Sequence, residues 1–288
     1  MLKIKWFKGQ WIHITFSKVL LYLVMLLLVA FTALPLVYVV VTAFKPLDEL
    51  YIYPPRFYVS HPTTKNFSDL VVTLGSSTVP FTRYIFNSVL ITVVVVFLTV
   101  IVCSLAAYSL VKFKPVGGKF LFDLILIALM FSAHVTKIPS YLIVNKLGLV
   151  NTYWSLILPN VAVAYNCFLM RQFITQYPDE LIEAARIDGA GEFKIFVKMV
   201  MPALAPAWST LVVFSFVSNW NDYFSPLIYI TSQAMKTLPL ALKTIGSGIG
   251  RAGATNAAAL LTTLPTVIIF TVMQGKVMET MTYSGIKG

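Results

Sequence analysis

Charge is scarce in this chain of 288 residues: 11% of it is Asp, Glu, Lys or Arg, where a soluble domain carries about 25%. So few charged groups could not cover a folded surface against water, and a soluble globular domain is excluded. Cysteine and histidine are rarer still, with two and three residues. Cys103 and Cys167 have no partner at ligand spacing and read as small apolar fillers of helices. His13, His61 and His134 are scattered, so the sequence spells out neither a zinc site nor a catalytic triad. No G-x-x-x-x-G-K-[ST] phosphate loop occurs, so ATP has no such cradle here. Acid is the scarcer sign: eleven Asp and Glu stand against twenty-two Lys and Arg, a net charge of +11. No basic run interleaved with aromatics lies outside a membrane flank, so the excess is assigned to lipid headgroups and nucleic acid is not expected as a partner.

What the chain has in quantity is apolar length. Hydrophobic residues make up 58% of it, and its mean hydropathy is +0.82. Residues 19–44, 84–111, 147–170 and 252–275 contain no Asp, Glu, Lys or Arg, and each exceeds the roughly 20 residues that cross a bilayer as helix. Residues 120–140 carry Asp123 and Lys137 near their ends, where both can snorkel toward headgroups. Residues 203–230 are apolar apart from Asp222. The expectation is an all-α polytopic membrane protein with six transmembrane helices spanning 19–276, a cytoplasmic tail at 1–18 and another at 277–288. With the N-terminus inside, thirteen Lys and Arg fall on the cytoplasmic side and nine outside, which places both termini in the cytoplasm. The first apolar run is too long for a cleavable signal peptide, and no A-x-A site follows it.

One compact island of charge interrupts this pattern. "PDELIEAARIDGAGEFKIFVK", residues 178–198, holds five of the eleven acids, Asp179, Glu180, Glu183, Asp188 and Glu192, with Arg186, Lys194 and Lys198. Each such charge at mid-bilayer costs about 2.5–3.5 kcal/mol, so the segment cannot span. It falls in the cytoplasmic loop between the fourth and fifth spans. Locally it reads as helix, turn, helix. Pro178 suits a first helical position, Asp179 and Glu180 favour the positive end of the dipole, and Gly189 in a left-handed conformation stops the helix. An amphipathic helix on the inner membrane surface is the plain alternative.

The stretch 183–202, "EAARIDGAGEFKIFVKMVMP", resembles the EAA motif of the membrane subunits of ABC importers. Glu183, Ala184, Ala185, Gly189 and Pro202 stand where that pattern expects them, with Asp188 beside the glycine. Met199 and Met201 replace the usual Ile and Leu, a conservative change of size and shape. "RYIFNSVLIT" at 83–92, "NTYWSLILPN" at 151–160 and the terminal "YSGIKG" at 283–288 resemble carbohydrate importers of the maltose-permease type, in particular the shorter second permease of the pair. The resemblance implies a subunit of the bacterial inner membrane that pairs with a homologous permease above two ATPase subunits. An external solute-binding protein would deliver an oligosaccharide to it. ATP and Mg would be bound by the ATPase subunits, leaving no cofactor and no catalytic residue in this chain. Segment 178–202 would then be the coupling segment that docks in a groove of the ATPase.

Three further regions follow from that resemblance. Trp220, Asn221, Asp222 and Tyr223 offer aromatic faces and polar groups to a sugar path, against the alternative of an interfacial aromatic belt ending in an acid. The glycine-rich stretch with Gly246, Ser247, Gly248 and Gly250 would reach into the binding protein, against that of a plain connector. In the tail, Tyr283, Gly285, Ile286, Lys287 and Gly288 would insert between the ATPase subunits, against simple fraying. Other solutes of this importer class, a polyol, a sugar phosphate or an osmolyte, remain open. So does an ion-coupled carrier working alone, for which Asp222 is the one good intramembrane acid.

Overall fold

A computed structural model describes residues 2–5, 11–14, 16–75, 79–244 and 251–285. The chain divides into two compact units, residues 1–70 with 247–260 and residues 71–246 with 261–288.

The first unit opens with an antiparallel pair of strands, β1 (Leu2–Lys5) and β2 (Trp11–Ile14), with Leu2 opposite Ile14 and Lys5 opposite Trp11. The all-α expectation holds for every described element but this ribbon. Its signal was present in "LKIK", which alternates apolar and basic residues with the period of a strand. Helix α1 (Phe16–Ala43) follows, then the short α2 (Leu47–Leu50) and α3 (Lys65–Gly75). Glu49 orders the loop between the last two by accepting hydrogen bonds from the N–H groups of Ser60 and His61 at 3.0 and 2.9 Å. Almost nothing on α1 is buried before Thr42 and Ala43, so its apolar side chains are there for lipid or another subunit.

The second unit is built around α4 (Phe81–Tyr108), which runs on through a π-helical turn, Ser109–Phe113. Next come α5 (Gly118–Leu129), α6 (Ala133–Lys146), α7 (Trp154–Val161) and α8 (Ala164–Thr175). The charged island forms α9 (Asp179–Ile187), α10 (Glu192–Ile195), a second π turn at Phe196–Val200 and α11 (Met201–Ala203). The chain continues as α12 (Ala205–Trp220), α13 (Phe224–Tyr229) and α14 (Leu238–Lys243), and ends in α15 (Ala252–Gly285). Helix α4 packs against α12, α8 and α7. Its inward stripe, Ser88, Thr92, Val95, Thr99 and Cys103, is small or polar and fully buried, while Val89, Val93 and Phe97 point outward. That inverts the pattern of a soluble helix and lets neighbouring backbones approach closely. One cluster of buried side chains joins Cys103, Ala107 and Tyr108 to Met170, Ile174 and Leu211. Another joins Ile91 and Val95 to Val144, Ile157 and Tyr229.

By length and composition, three described helical segments can cross a membrane: Phe16–Ala43, Phe81–Phe113 and Ala252–Met278. The number rises to five if two bent pairs each count as one span, Gly118–Leu129 with His134–Lys146 and Glu192–Ala203 with Ala205–Trp220. Three of the expected straight spans are therefore broken, each for a local reason. Ser132 caps α6 by accepting from the His134 N–H, which divides 120–140. Gly148 and Asn151, both at positive φ, delay the fourth span to Trp154, and the chain breaks again at Ala162 and Val163. In 203–230, Asp222 caps α13 after α12 has ended at Trp220.

Candidate functional site

The charged island is a helical hairpin whose turn has a definite chemistry. Pro178 sits one position before the helix rather than in it, and Asp179 and Glu180 occupy the first turn of α9. At the other end Gly189 has φ +78°, and its N–H donates to the Arg186 carbonyl at 3.0 Å. The Ala190 N–H reaches back to the Ala185 carbonyl at 2.9 Å. These two bonds form a Schellman cap, which satisfies the last carbonyls of α9 and redirects the chain into α10. The glycine four residues after the second alanine is there for its backbone.

The hairpin is tied to the bundle on one face only. Ile182 and Ala185 are buried in the cluster with Met170, Ile174 and Phe196. Lys112, in the first π turn, has a side chain only 5% exposed, and it donates to the Tyr177 carbonyl at 2.6 Å and to Asp179 Oδ1 at 2.5 Å. The hydrogen bond from Lys112 holds the Asp179 carboxyl below the usual carboxylate range. Glu192 works from two sides: Oε1 accepts from Arg186 Nε at 2.6 Å and Oε2 from the Tyr108 hydroxyl at 3.0 Å. On the opposite face Glu183, Ala184 and Asp188 are exposed, as are Leu181, Ile187 at 87% and Phe193 at 75%. Of the two alanines, Ala184 is therefore free for a neighbour while Ala185 is committed to the core. Pro202 lies in α11 beside the second π turn.

The Trp220–Tyr223 group divides in the structure. Trp220 is buried, stacks on Phe216, and donates from Nε1 to the Thr262 carbonyl at 3.0 Å, locking α12 to α15. Asn221 donates to Val217 O and to Thr266 Oγ1. Asp222 Oδ1 accepts the N–H groups of Phe224 at 2.9 Å and Ser225 at 3.1 Å, as a helix cap does. Tyr223 is exposed, with Lys243 Nζ 5.1 Å from its ring centroid.

Two quoted stretches meet in space. The Tyr153 hydroxyl donates to Asn87 Oδ1 at 2.8 Å, and Arg83 Nη2 donates to the same hydroxyl at 3.2 Å. Asn87 Nδ2 in turn donates to the carbonyls of Ala234 and Lys236, and Ser88 Oγ accepts the Leu238 N–H. Asn151 Oδ1 accepts from the N–H groups of Thr231 and Ser232. "RYIFNS" and "NTYW" thus act as a clamp on the irregular segment leading into α14. No spacing rule reveals contacts between residues about 66 to 150 positions apart.

Beside the helix breaks lies a cleft of about 480 Å³, lined among others by Lys137, Ser140, Asn160, Tyr165 and Phe224. Lys137 Nζ lies 3.8 Å from the Phe224 ring centroid. Cys103 and Cys167, 64 residues apart, also meet, with Sγ atoms 3.1 Å apart. Among the described residues, no three His, Cys, Asp or Glu side chains are arranged to hold a metal ion. The positions Gly246, Ser247, Gly248 and Gly250, and Ile286, Lys287 and Gly288, lie outside the described residues. Tyr283 and Gly285 lie in the last turns of α15, which continues as helix from 277 through the region expected as a tail.

Comparison with known proteins places this architecture. Residues 95–277 match the family model described as binding-protein-dependent transport system inner membrane component. The arabinooligosaccharides transport system permease protein AraQ of Halalkalibacterium halodurans is 31% identical over 262 residues, 90% of this chain and 93% of that protein. The sn-glycerol-3-phosphate transport system permease protein UgpE of Escherichia coli is 32% identical over 250 residues, 85% of this chain and 89% of that one. In fold, a chain of a bacterial ABC transporter that imports the acidic polysaccharide alginate superposes with a TM-score of 0.78 at 20% identity, covering 92% of this chain and 99% of its own. With the family model spanning the bundle and the hairpin, and relatives aligned over nearly their whole length, this chain belongs to the inner membrane components of binding-protein-dependent transport systems, as an ABC importer permease with no enzymatic activity of its own.

Proposed function

We propose that this chain is the second permease of a carbohydrate importer, with residues 178–202 as its ATPase-coupling segment. In this reading the broken helices complete six spans over 19–276, both termini are cytoplasmic, and a homologous permease pairs with the bundle. Two ATPase subunits bind ATP and Mg, and an external binding protein delivers an oligosaccharide. The observation that carries the reading is the two-faced hairpin. One face is fixed to the bundle through Ile182, Ala185, Lys112 and Tyr108. The other offers Glu183, Ala184, Ile187 and Phe193 to a partner. An exposed apolar patch rimmed by acids is the form of a docking surface, and a rigidly held one transmits motion to α4 and α12. Asp188 and Gly189 shape its turn, and Pro202 starts the return to the bundle.

The named substrates of the relatives, arabinooligosaccharides and sn-glycerol-3-phosphate, support a sugar or a phosphorylated polyol as cargo. A lone ion-coupled carrier is disfavoured because Asp222, its best acid, is engaged with two backbone N–H groups. In the same reading Asn221 and Tyr223, the exposed pair of the four, border the path, the loop bearing Gly246, Ser247, Gly248 and Gly250 meets the binding protein, and residues 283–288 meet the ATPase dimer. The decisive experiment is Glu183→Lys. The variant should insert normally, fail to co-purify the ATPase and lose uptake. Full uptake with the ATPase retained would refute the docking assignment.

A further inference from the structure

The cleft beside the helix breaks contains a cation with no matching acid. It is lined by parts of α5, α6, α7, α8 and α13, and Lys137 enters it from α6. Among the described residues the ion pairs are Lys112 with Asp179 and Arg186 with Glu192, so no carboxylate lies within ion-pair distance of Lys137. Neither Asp123, on α5, nor Asp222, just ahead of α13, lines the cleft, and Asp222 Oδ1 accepts the N–H groups of Phe224 and Ser225. A lysine within a candidate span is held there against a desolvation cost, and the face of one phenyl ring repays little of it. Interrupted helices at such depth are tolerated where the backbone borders a wet cavity, and it is there that transporters hold their cargo.

The remaining lining has the chemistry of a sugar site. Tyr165 and Phe224 supply flat apolar faces for pyranose rings, and Ser140, Asn160 and Ser225 supply hydroxyl and amide groups. No carboxylate lines the cleft to accept the hydroxyl donors of a neutral sugar, whereas an ammonium group awaits an anion. We infer that this cleft is a subsite for carbohydrate bearing an anionic group, a carboxylate or a phosphate, with Lys137 reading the charge. The inference rests on the carbohydrate-importer reading above and narrows its substrate class.

The test is uptake by the full importer, with its partner permease, ATPase and binding protein, reconstituted in liposomes. Three arms are offered: uronate-bearing oligosaccharides, sugar phosphates and uncharged oligosaccharides. The expected result is uptake in an anionic arm, the first two telling carboxylate from phosphate. Lys137→Gln should lower that uptake by roughly tenfold or more, the scale of one charge-assisted hydrogen bond, and Lys137→Arg should keep most of it. Ser140→Asp, three residues along the same helix, leaves the lysine in place but gives it an internal carboxylate, and should reduce uptake in the same arm. It keeps the inference testable even where Lys137→Gln fails to assemble. Preference for the uncharged arm, or equal anion uptake by the wild type, Lys137→Gln and Ser140→Asp, would overturn the inference while leaving the importer reading intact. ATP-driven uptake of a non-carbohydrate solute, with none in any of the three arms, would overturn the carbohydrate reading itself.

Discussion

Gly189 allows the coupling turn to be dissected by a graded series. At φ +78° it lies where an L side chain is strained, yet an added Cβ would meet nothing within 4 Å. Space is therefore no obstacle within this chain, and the whole penalty is conformational. For alanine that penalty is about 1–2 kcal/mol, a factor of roughly 5–30 in the population holding the turn. Asparagine tolerates the left-handed region and should cost least, while valine, branched at Cβ, should cost most. The two cap bonds, Gly189 N–H to Arg186 and Ala190 N–H to Ala185, depend on this turn, so its loss frays α9 where Ala185 anchors it. If the ATPase binds only the capped hairpin, its affinity falls with the capped population and not further. ATPase co-purification and uptake, measured across Asn, Ala and Val, should decline in that order while membrane insertion stays constant. Asparagine as damaging as valine would mean that the partner presses directly on this glycine. An alanine variant indistinguishable from wild type would mean that the left-handed turn is not needed.

Three other perturbations isolate single contacts. Lys112→Met should destabilise the solubilised protein by about 1–3 kcal/mol by orphaning the Tyr177 carbonyl, visible in a thermal melt; an unchanged melt refutes that role. Because Lys112 depresses the Asp179 pKa, the stabilisation from this pair is present above the unfolded carboxylate value of about 3.9 and is lost as pH falls through the lower folded value. Asp179→Asn should remove that acid-side component from the melting profile, and a profile identical to wild type would count against it. Asp222→Ala should cost about 1 kcal/mol as a lost cap, while Asp222→Asn should transport almost normally; abolished uptake in the asparagine variant would restore a protonic role for this acid. In the first unit, a Cβ on Gly253 would stand 2.1 Å from Asn66 Oδ1, and the Asn66 amide donates to the carbonyls of Ala43 and Lys45. Gly253→Ala should therefore lower the melting temperature, and combining it with Asn66→Ala should cost less than the sum of the two; strict additivity would refute the contact.

Residues that act through their own neighbours were the legible ones. Gly189 declares a left-handed cap because the helix signals end just before it, and the run 178–198 declares its exposure by its charge. The long apolar runs likewise announce α1, α4 and α15. Residues that act through distant partners were silent. Lys112 and Asp179 are 67 positions apart and Asn87 and Tyr153 are 66 apart, so neither pairing leaves a periodic trace. The helix breaks were hidden for another reason: long apolar stretches run on past Ser132, Ala162 and Asp222, and hydropathy registers neither the caps made by Ser132 and Asp222 nor the backbone turn at Ala162 and Val163. Trp220 and Asp222 carry side chains that suit sugars, and their bonds to the Thr262 carbonyl and to the N–H groups that open α13 leave no mark in the sequence pattern.

The buried stripe of α4 also bears on how the protein is made. A helix as long and apolar as α4 enters lipid on its own. It does so before α8 and α12, which cover the stripe, have been synthesised, since both lie later in the chain. For that interval Ser88, Thr92 and Thr99 face hydrocarbon or an insertion machine, with hydroxyls able to turn back onto their own helix carbonyls. The Asn87 amide can turn back in the same way, as Asn221 does onto Val217, but its final acceptors, the carbonyls of Ala234 and Lys236, are about 150 residues away in the nascent chain. Translation itself thus sets the order of assembly: α4 waits in the membrane as a half-finished surface, and the arrival of the last third of the polypeptide closes it.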